Sequence, residues 1–381
     1  MAEDLFSSNH TLHPPQTDED LLSWLRLIRS RRVGVTTFFR LLREHRSAEA
    51  ALAALPEIAR CAGVKDYEVC PENVAATELS LAKKLGVQMI CYGTPDYPAA
   101  LLDVADAPPI IWLRGNGTLL KRPMIALVGA RNASSLGTRM ARKLSSELGE
   151  AGFVVVSGLA RGIDTASHHA ALPSGTVAVF GGGVDVIYPQ ENATLADEIC
   201  KTGLCLSEQP MGMQPQARHF PARNRIISGL SRAVVVVEAA LKSGSLITAR
   251  NALDQGREVL AVPGHPIDAR ASGCNALIRE GATLVRSAED VIEAVSQSHT
   301  ANNQPQEPQS LVKEQQPKRG LREISKLHTE ILSRLGPSPI AEDQLIRDLA
   351  LPAKAINPEI TTLELEGRIE RRAGGLLSIV R

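Results

Sequence analysis

The stretch MIALVGARNASSLG, residues 124–137, decides the fold. Met124–Val128 is an unbroken apolar run of strand length, the pattern of a strand covered on both faces. The glycines and small polar residues from Gly129 to Gly137 then mark a turn leading into a helix. The same unit recurs downstream. Strand-like runs lie at Phe153–Val156, Thr176–Phe180, Leu204–Leu206, Ala233–Val237, Glu258–Val262 and Thr283–Val285, mostly separated by amphipathic segments of helix length. That alternation predicts an α/β fold with a doubly wound, mostly parallel sheet. Val87–Ile90 and Ile110–Leu113 are expected to extend it at one edge.

Outward from this domain, placed at residues 86–296, the pattern changes. Residues 1–17 are polar and proline-containing, the composition of a disordered tail. Residues 18–85 carry helical spacing: Leu21, Leu22, Trp24, Leu25 and Ile28 share a face, Gly34 breaks it, and Phe38, Phe39, Leu41 and Leu42 resume it. With further helix at Ala48–Leu55 and Leu79–Leu85, this predicts a small all-α module. Its Arg29–Gly34 turn resembles a helix-hairpin-helix, a backbone-level DNA contact in many proteins, but a plain packing module is the favoured reading. Residues 297–319 turn to Gln, Ser, Asn, Pro and Lys and read as a linker. In residues 320–381, a stripe of Leu321, Ile324, Leu327, Ile331 and Leu335 ends at Gly336-Pro337. Helices at Ile340–Leu349 and Pro358–Glu366 follow, then a hairpin from Arg368–Ile369 and Leu376–Ile379. Three helices and a hairpin are the order of a winged helix, but the third helix is too acidic to suit a major groove. A protein-contact or structural role is expected for it.

The 381 residues hold 42 basic and 42 acidic side chains. Zero net charge argues against a nucleic-acid partner, because phosphate binding rests on Lys and Arg. Distribution qualifies that. No acid lies between Glu208 and Glu238, whereas Arg218, Arg223, Arg225 and Arg232 do. No apolar window approaches the length of a membrane helix and no basic-then-apolar leader is visible, so a cytoplasmic location is expected, with no membrane partner. The six cysteines form no CxxC pair and read as free thiols. Asp164 and His168 have i, i+4 spacing but no further ligand in view, so no metal and no cofactor is expected.

In open α/β sheets the ligand lies at the carboxyl ends of the strands. Four of the segments there are glycine-rich. Gly129–Gly137 lets a ligand approach backbone, offers the N–H groups of the following helix to an anion and adds the cation Arg131. Ser157-Gly158-Leu159-Ala160-Arg161-Gly162-Ile163-Asp164 ends at a helix start with Asp164 placed to cap it. Gly181-Gly182-Gly183 allows positive φ or relieves a crowded sheet edge. Ser243-Gly244-Ser245 supplies amides and hydroxyls, with Glu238 near the same rim. Between these loops, Phe220, Arg223, Asn224 and Arg225 open a helix: arginine neutralises phosphate and an aromatic face stacks on an unpaired base.

The succession GARNASSLG (129–137), SGLARGID (157–164), GGGVDVIYPQEN (181–192), HFPARNRIISGLS (219–231), SGSLITA (243–249), VPG (262–264) and GCNALIREGA (273–282) resembles the DprA/Smf DNA-processing family. The likeness runs from about Val87 to Val285, and the two end modules suit it. It implies an extended Rossmann-like fold and a homodimer. It also implies a positive pocket for single-stranded DNA and delivery of that DNA to the recombinase RecA in natural transformation, with single-stranded-DNA-binding protein as a further partner. No catalytic residue is implied. The matching positions are Gly129, Arg131, Ser157, Gly158, Arg161, Gly162, Phe220, Arg223, Asn224, Arg225, Ser243, Gly244 and Ser245. Dimer or partner contacts are expected at Asn275, Leu277, Ile278 and Leu284. Gln190-Glu191 departs from the family, many members of which carry a basic residue beside the Tyr188-Pro189 motif.

A second reading is a nucleotide-hydrolysing enzyme resembling the lysine-decarboxylase-like phosphoribohydrolases. That class needs a PGGxGT-type loop with a catalytic acid, of which Ser243-Gly244-Ser245 is a fragment. A dinucleotide-dependent oxidoreductase lacks both the GxGxxG spacing and the distal ribose-binding acid.

Overall fold

Every apolar run read from the sequence of the central domain becomes a strand. The computed structural model describes residues 14–303, 321–335, 340–349, 351, 356, 359–360, 362–364, 368–372 and 376–379. In the first unit, the strands are β1 (Gln88–Cys91), β2 (Ile110–Gly115), β3 (Met124–Gly129), β4 (Val154–Ser157), β5 (Thr176–Val179), β6 (Leu204–Ser207), β7 (Ala233–Glu238), β8 (Glu258–Ala261) and β9 (Thr283–Leu284). They form one sheet in the order β1-β2-β6-β5-β4-β3-β7-β8-β9. From β6 to β9 all neighbours are parallel, while β2 joins β6, and β1 joins β2, antiparallel. The chain therefore starts the parallel part at β3, winds outward to β6, returns beside β3 as β7 and winds outward the other way. The gap between the ends of β3 and β7 is the topological switch point, where such sheets bind ligands.

Helices cover both faces. They are α1 (Asp18–Arg29), α2 (Val35–His45), α3 (Ala48–Cys61), α4 (Glu72–Lys84), α5 (Ala99–Leu102), α6 (Ser135–Glu150), α7 (Ile163–Ala171), α8 (Ala193–Thr202), α9 (His219–Leu230), α10 (Ser245–Asp254), α11 (Ser272–Arg279) and α12 (Ala288–Asn303). Successive strand residues point to opposite faces. Ile125, Leu127, Val155, Val235 and Leu260 thus pack with Leu144 of α6, Ala166 of α7 and Val291 of α12. Ala126, Val128, Val156, Val234 and Val236 pack with Ile226 of α9, Ala249 of α10 and Cys274 of α11.

The N-terminal helices share a core with the outer part of this sheet. Trp24, Phe38, Leu41 and Leu55 cluster with Trp112, Ala178, Phe180 and Ile199. A ladder of edge-to-face rings crosses the junction: Trp24 to Phe38 at 5.1 Å, Phe38 to Phe39 at 5.5 Å, Phe39 to Tyr92 at 4.9 Å and Tyr92 to Tyr97 at 5.3 Å. Arg29 forks onto Glu78 at 2.9 and 2.8 Å, and Glu78 Oε1 also accepts from the Met211 amide at 3.1 Å. The chain enters α1 through a capping box between Thr17 and Asp20. Of the expected tail, residues 1–13 lie outside the described residues. Helix α12 continues to Asn303, into the stretch expected as linker; residues 304–320 lie outside the described residues.

The second unit begins with α13 (Leu321–Arg334), β10 (Ile340–Ala341) and α14 (Glu342–Leu349) and ends with β11 (Ile369–Arg372) and β12 (Leu376–Ile379), in an antiparallel sheet of order β10-β12-β11. Ile331, Leu345, Ile360, Leu363 and Leu377 form its core. The sequence reading missed β10, a two-residue strand too short to show alternation. Residues 359–360 and 362–364 of the expected third helix are helical; the rest of it and the hairpin turn at 373–375 lie outside the described residues.

Because the ring ladder ties α1 and α2 to the sheet, a Phe39→Ala substitution is expected to cost about 3–5 kcal/mol. Amide hydrogen exchange should show α1–α3 and strands β1 and β2 losing protection together. Loss confined to the helices would contradict a shared core.

Candidate nucleic-acid interface

At the switch point β3 ends on Gly129, where any side chain is excluded: an added Cβ would lie 2.6 Å from Ile163 Cγ1 and 2.9 Å from the Glu238 carbonyl. A register shift at Val128/Gly129 lets the Ala130 amide donate to the Glu238 carbonyl at 2.7 Å. The Glu238 carboxylate turns toward the start of α6, accepting from the Ser134 amide at 3.1 Å and from the Ser134 hydroxyl at 2.5 Å. Ser134 Oγ in turn caps the Gly137 amide at 2.9 Å. The α6 N-terminus, expected to be open to an external anion, is therefore already occupied by the chain's own carboxylate.

The loop after β4 is built around two buried polar groups. Asp164, expected as a helix cap, instead lies inside α7 and accepts from the loop amides of Gly158 at 3.1 Å and Ala160 at 3.3 Å. The cap position falls to Gly162, whose φ of 76° and approach to the Ala130 carbonyl, 2.2 Å from an added Cβ, require glycine. Burial raises the Asp164 pKa, with the Arg223 charge opposing. His168 Nε2 accepts from the Leu159 amide at 3.3 Å, so Nδ1 carries the proton toward Thr176 Oγ1 at 2.8 Å, and Thr176 donates to the Val155 carbonyl at 2.7 Å. Burial, aided by Arg223, pushes the His168 pKa down to about 3. The ring is a neutral strut. Among the described residues no cluster of three or more His, Cys, Asp or Glu is arranged to hold a metal.

Around these loops lies a cleft of about 930 Å³. Of the expected site residues it brings together Gly129, Arg131, Phe220, Arg223, Asn224, Ser243, Gly244 and Ser245. Arg131 is exposed, and its guanidinium lies 5.3 Å from the Phe220 ring centre. Tyr188 follows on the same ring at 5.6 Å, tilted by 38° and half exposed. Cation and two rings make one continuous stacking edge. Phe220 rests on Gly181, an added Cβ of which would lie 3.1 Å from the ring; the three glycines of this loop serve close packing, not positive φ. On the opposite wall the Ser243 and Ser245 hydroxyls share a hydrogen bond of 2.5 Å, and Asn224 reaches the Gly244 carbonyl at 3.4 Å.

The two helix arginines differ from expectation. Arg223 is 4% exposed, under Gly158, and donates to the Val179 carbonyl, while its Nε finds no partner. Burial lowers its pKa to about 10, which leaves it charged at neutral pH. Arg225 is not brought to the cleft. Two residues along α9 its side chain faces elsewhere and pairs with Asp106 at 3.0 Å and Glu208 at 2.5 Å. Arg161 sits outside the lining, forked onto Glu191 at 2.8 Å, and Ser157 is buried on the Leu127 carbonyl at 2.6 Å. Gly158 and Gly162 shape the loop without lining the cleft.

Among the lining residues outside the expected set are Tyr188, Lys242 and Arg270, all exposed. Tyr188 stands inside a quoted motif and Lys242 immediately before one, and only the fold brings them to the cleft. Arg270 lies far along the chain, reaching Asp268 at 3.1 Å and Glu238 at 3.8 Å. Of the expected contact residues, Asn275 pins the Gly264 turn through both amide atoms at 3.0 and 3.2 Å. Leu277 and Ile278 pack against the core, and Leu284 is 41% exposed on edge strand β9.

An open α/β sheet with a cationic, aromatic-edged cleft at its switch point defines a ligand-binding protein of the Rossmann-like class. The chain belongs to the DprA family: residues 88–296 match the family model of DNA recombination-mediator protein A, residues 18–80 the DprA-like N-terminal HHH domain and residues 314–375 the DprA winged helix domain. It is 50% identical over 198 residues to the DNA processing protein DprA of Streptococcus pneumoniae, covering 51% of this chain and 70% of that protein. The X-ray structure of DprA from S. pneumoniae superposes with a TM-score of 0.61 at 37% identity, covering 73% of this chain and 98% of that one. DNA processing protein A from Helicobacter pylori, solved to describe its single-stranded DNA binding mode, superposes with a TM-score of 0.51 at 29% identity, covering 56% of this chain and 96% of that one.

The depressed His168 pKa has a consequence for acid stability. The unfolded ring protonates near 6.5 and the folded ring only near 3. The unfolded state binds the proton first, so stability falls as pH drops through that window, by up to about 1.4 kcal/mol per pH unit. Chemical denaturation of His168→Gln between pH 4 and pH 6 should show a shallower slope than the parent. An equal slope would mean that His168 is not buried neutral.

Proposed function

We propose that this protein binds single-stranded DNA in the switch-point cleft without sequence preference, shields it, and passes it to the recombinase RecA. It is read as a binding and loading protein, not an enzyme, acting as a homodimer in uptake and recombination of DNA. The observation that carries the DNA reading is the Arg131–Phe220–Tyr188 edge facing Lys242 and the Ser243–Ser245 turn. Rings that stack on any base and cations that meet any phosphate give affinity without base readout. Arg223 works from below: a buried cation with an unsatisfied Nε favours an anion over the cleft floor. The solved H. pylori relative, described as binding single strands, supports the same ligand. RecA transfer, the homodimer and a contact with single-stranded-DNA-binding protein rest on family membership, with the edge around Leu284 as the proposed contact surface.

The hydrolase reading is disfavoured by Glu238, which fills the helix N-terminus that a nucleotide phosphate would use.

Fluorescence titration of a labelled single strand should show Phe220→Ala losing about 1–3 kcal/mol, roughly fivefold to 150-fold. Arg131→Ala with Lys242→Ala should weaken binding and flatten its salt dependence, whereas Arg225→Ala should spare the contact. Undiminished binding by both cleft variants would remove the cleft from consideration. The RecA step is checked by strand exchange on DNA coated with single-stranded-DNA-binding protein; no acceleration by the added protein refutes it.

A further inference from the structure

Helix α8 ends at Thr202 and strand β6 begins at Leu204, so the chain reverses on Gly203 alone. The Gly203 amide closes the helix on the Ile199 carbonyl at 2.7 Å, and an added Cβ would collide with the Thr176 carbonyl oxygen, so no side chain fits at the reversal. A turn this tight lays the end of α8 back over β6. Cys200 on the helix and Cys205 on the strand are brought together by it: their sulfurs lie 3.2 Å apart and share a hydrogen bond. Cys205 also reaches the Ala196 carbonyl at 3.9 Å.

Alternation along β6 sends Leu204 and Leu206 to one face and Cys205 to the other, against Ala196 and Ile199 of α8. Cys205 is fully buried there, while Cys200 is half-buried. Arg114 of β2 is the register partner of Cys205 in the antiparallel ladder, and directly opposed residues share a face, so a cation stands beside the pair. The two thiols are unequal. The shared hydrogen bond, helped by Arg114, holds Cys200 below the ordinary thiol pKa against burial and the Asp197 charge, whereas the same bond and burial hold Cys205 well above it. A lowered thiol that reaches solvent is the reactive member of such a pair, and the buried one beside it resolves the product. The other four cysteines are arranged differently. Burial pushes the Cys91 thiol up to about 12 and Cys274 to about 11, and also raises Cys70. Exposed Cys61 has Glu57 at 3.6 Å.

We propose that Cys200 and Cys205 are a modification site, a dithiol that a hydroperoxide converts to a disulfide and that a dithiol reductant restores. In the first step the Cys200 sulfur attacks a peroxide oxygen and the O–O bond breaks. Cys200 becomes a sulfenic acid, and the departing oxygen takes up the thiol proton and leaves as water. In the second step the Cys205 sulfur attacks the sulfenic sulfur, the S–O bond breaks, and the hydroxyl leaves with the Cys205 proton as a second water. Two thiols lose two electrons and one peroxide gains them. From 3.2 Å the sulfurs close by about 1 Å to reach the roughly 2.0 Å of the product bond. The ring closed over residues 200–205 pins the end of α8 to β6. Neither cysteine lines the cleft, so the inference stands apart from the DNA reading.

The test treats the full, reduced chain with a small excess of hydrogen peroxide, blocks the remaining thiols with iodoacetamide and digests with trypsin. Cleavage after Lys201 separates the two cysteines, so the disulfide shows as peptides 162–201 and 202–218 joined, parting on addition of dithiothreitol. The thiol count of the unfolded chain should fall from six by two, to four. Cys200→Ser should leave Cys205 unoxidised under the same treatment, and Cys205→Ala should stop at a sulfenic acid on Cys200, trapped by dimedone. The parent chain alone decides the disulfide should either variant fold poorly. The oxidised chain should unfold at a higher temperature than the reduced one and bind a short oligothymidylate as the reduced one does. Loss spread over all six thiols, joined peptides that involve another cysteine, or Cys205 oxidised as fast in Cys200→Ser as in the parent overturns the proposal.

Discussion

Burying the Arg223 guanidinium is the constraint around which the central domain is arranged. A charge taken out of water costs several kcal/mol unless neighbours compensate it, and here compensation comes from three elements at once. The end of β5 offers the Val179 carbonyl, α7 offers the Asp164 charge, and the loop after β4 thins to glycine at Gly158 so that the guanidinium fits beneath it. Asp164 then holds that loop closed through two amides, and His168 beside it is kept neutral partly by the same positive charge. Loop shape and the potential of the cleft floor follow from one buried cation, which also adds to the burial that keeps His168 neutral.

The division of labour among the basic residues explains how a neutral chain can favour polyanions. Arg225, Arg161 and Arg29 are neutralised by Glu208, Glu191 and Glu78. Arg131 and Lys242 stay exposed at the cleft. Net charge therefore says little about the local field.

The parallel sheet was legible because strands buried on both faces leave unbroken Val, Ile and Leu runs, and the glycine-rich loops because their spacing is local. Side-chain direction was not. Arg223 and Arg225 look equivalent in sequence, yet lying two apart on a helix they point about 200° apart, one to the cleft and one to Glu208. Asp164 read as a cap because its position fits one; its deeper place in α7 depends on the path of the preceding loop, with Leu159 at positive φ. Arg270 and the union of the N-terminal helices with the sheet rest on contacts distant in sequence.

Glu238 does more than cap a helix. A carboxylate held by the fold within hydrogen-bond reach of its donors acts at an effective concentration of about millimolar or above. A free mononucleotide seeking the α6 amides must displace that resident carboxylate. A polymer bound as proposed, at the aromatic edge and the serine turn, would not need those amides. Under the proposed DNA reading, that carboxylate is a built-in competitor against single nucleotides at the α6 N-terminus.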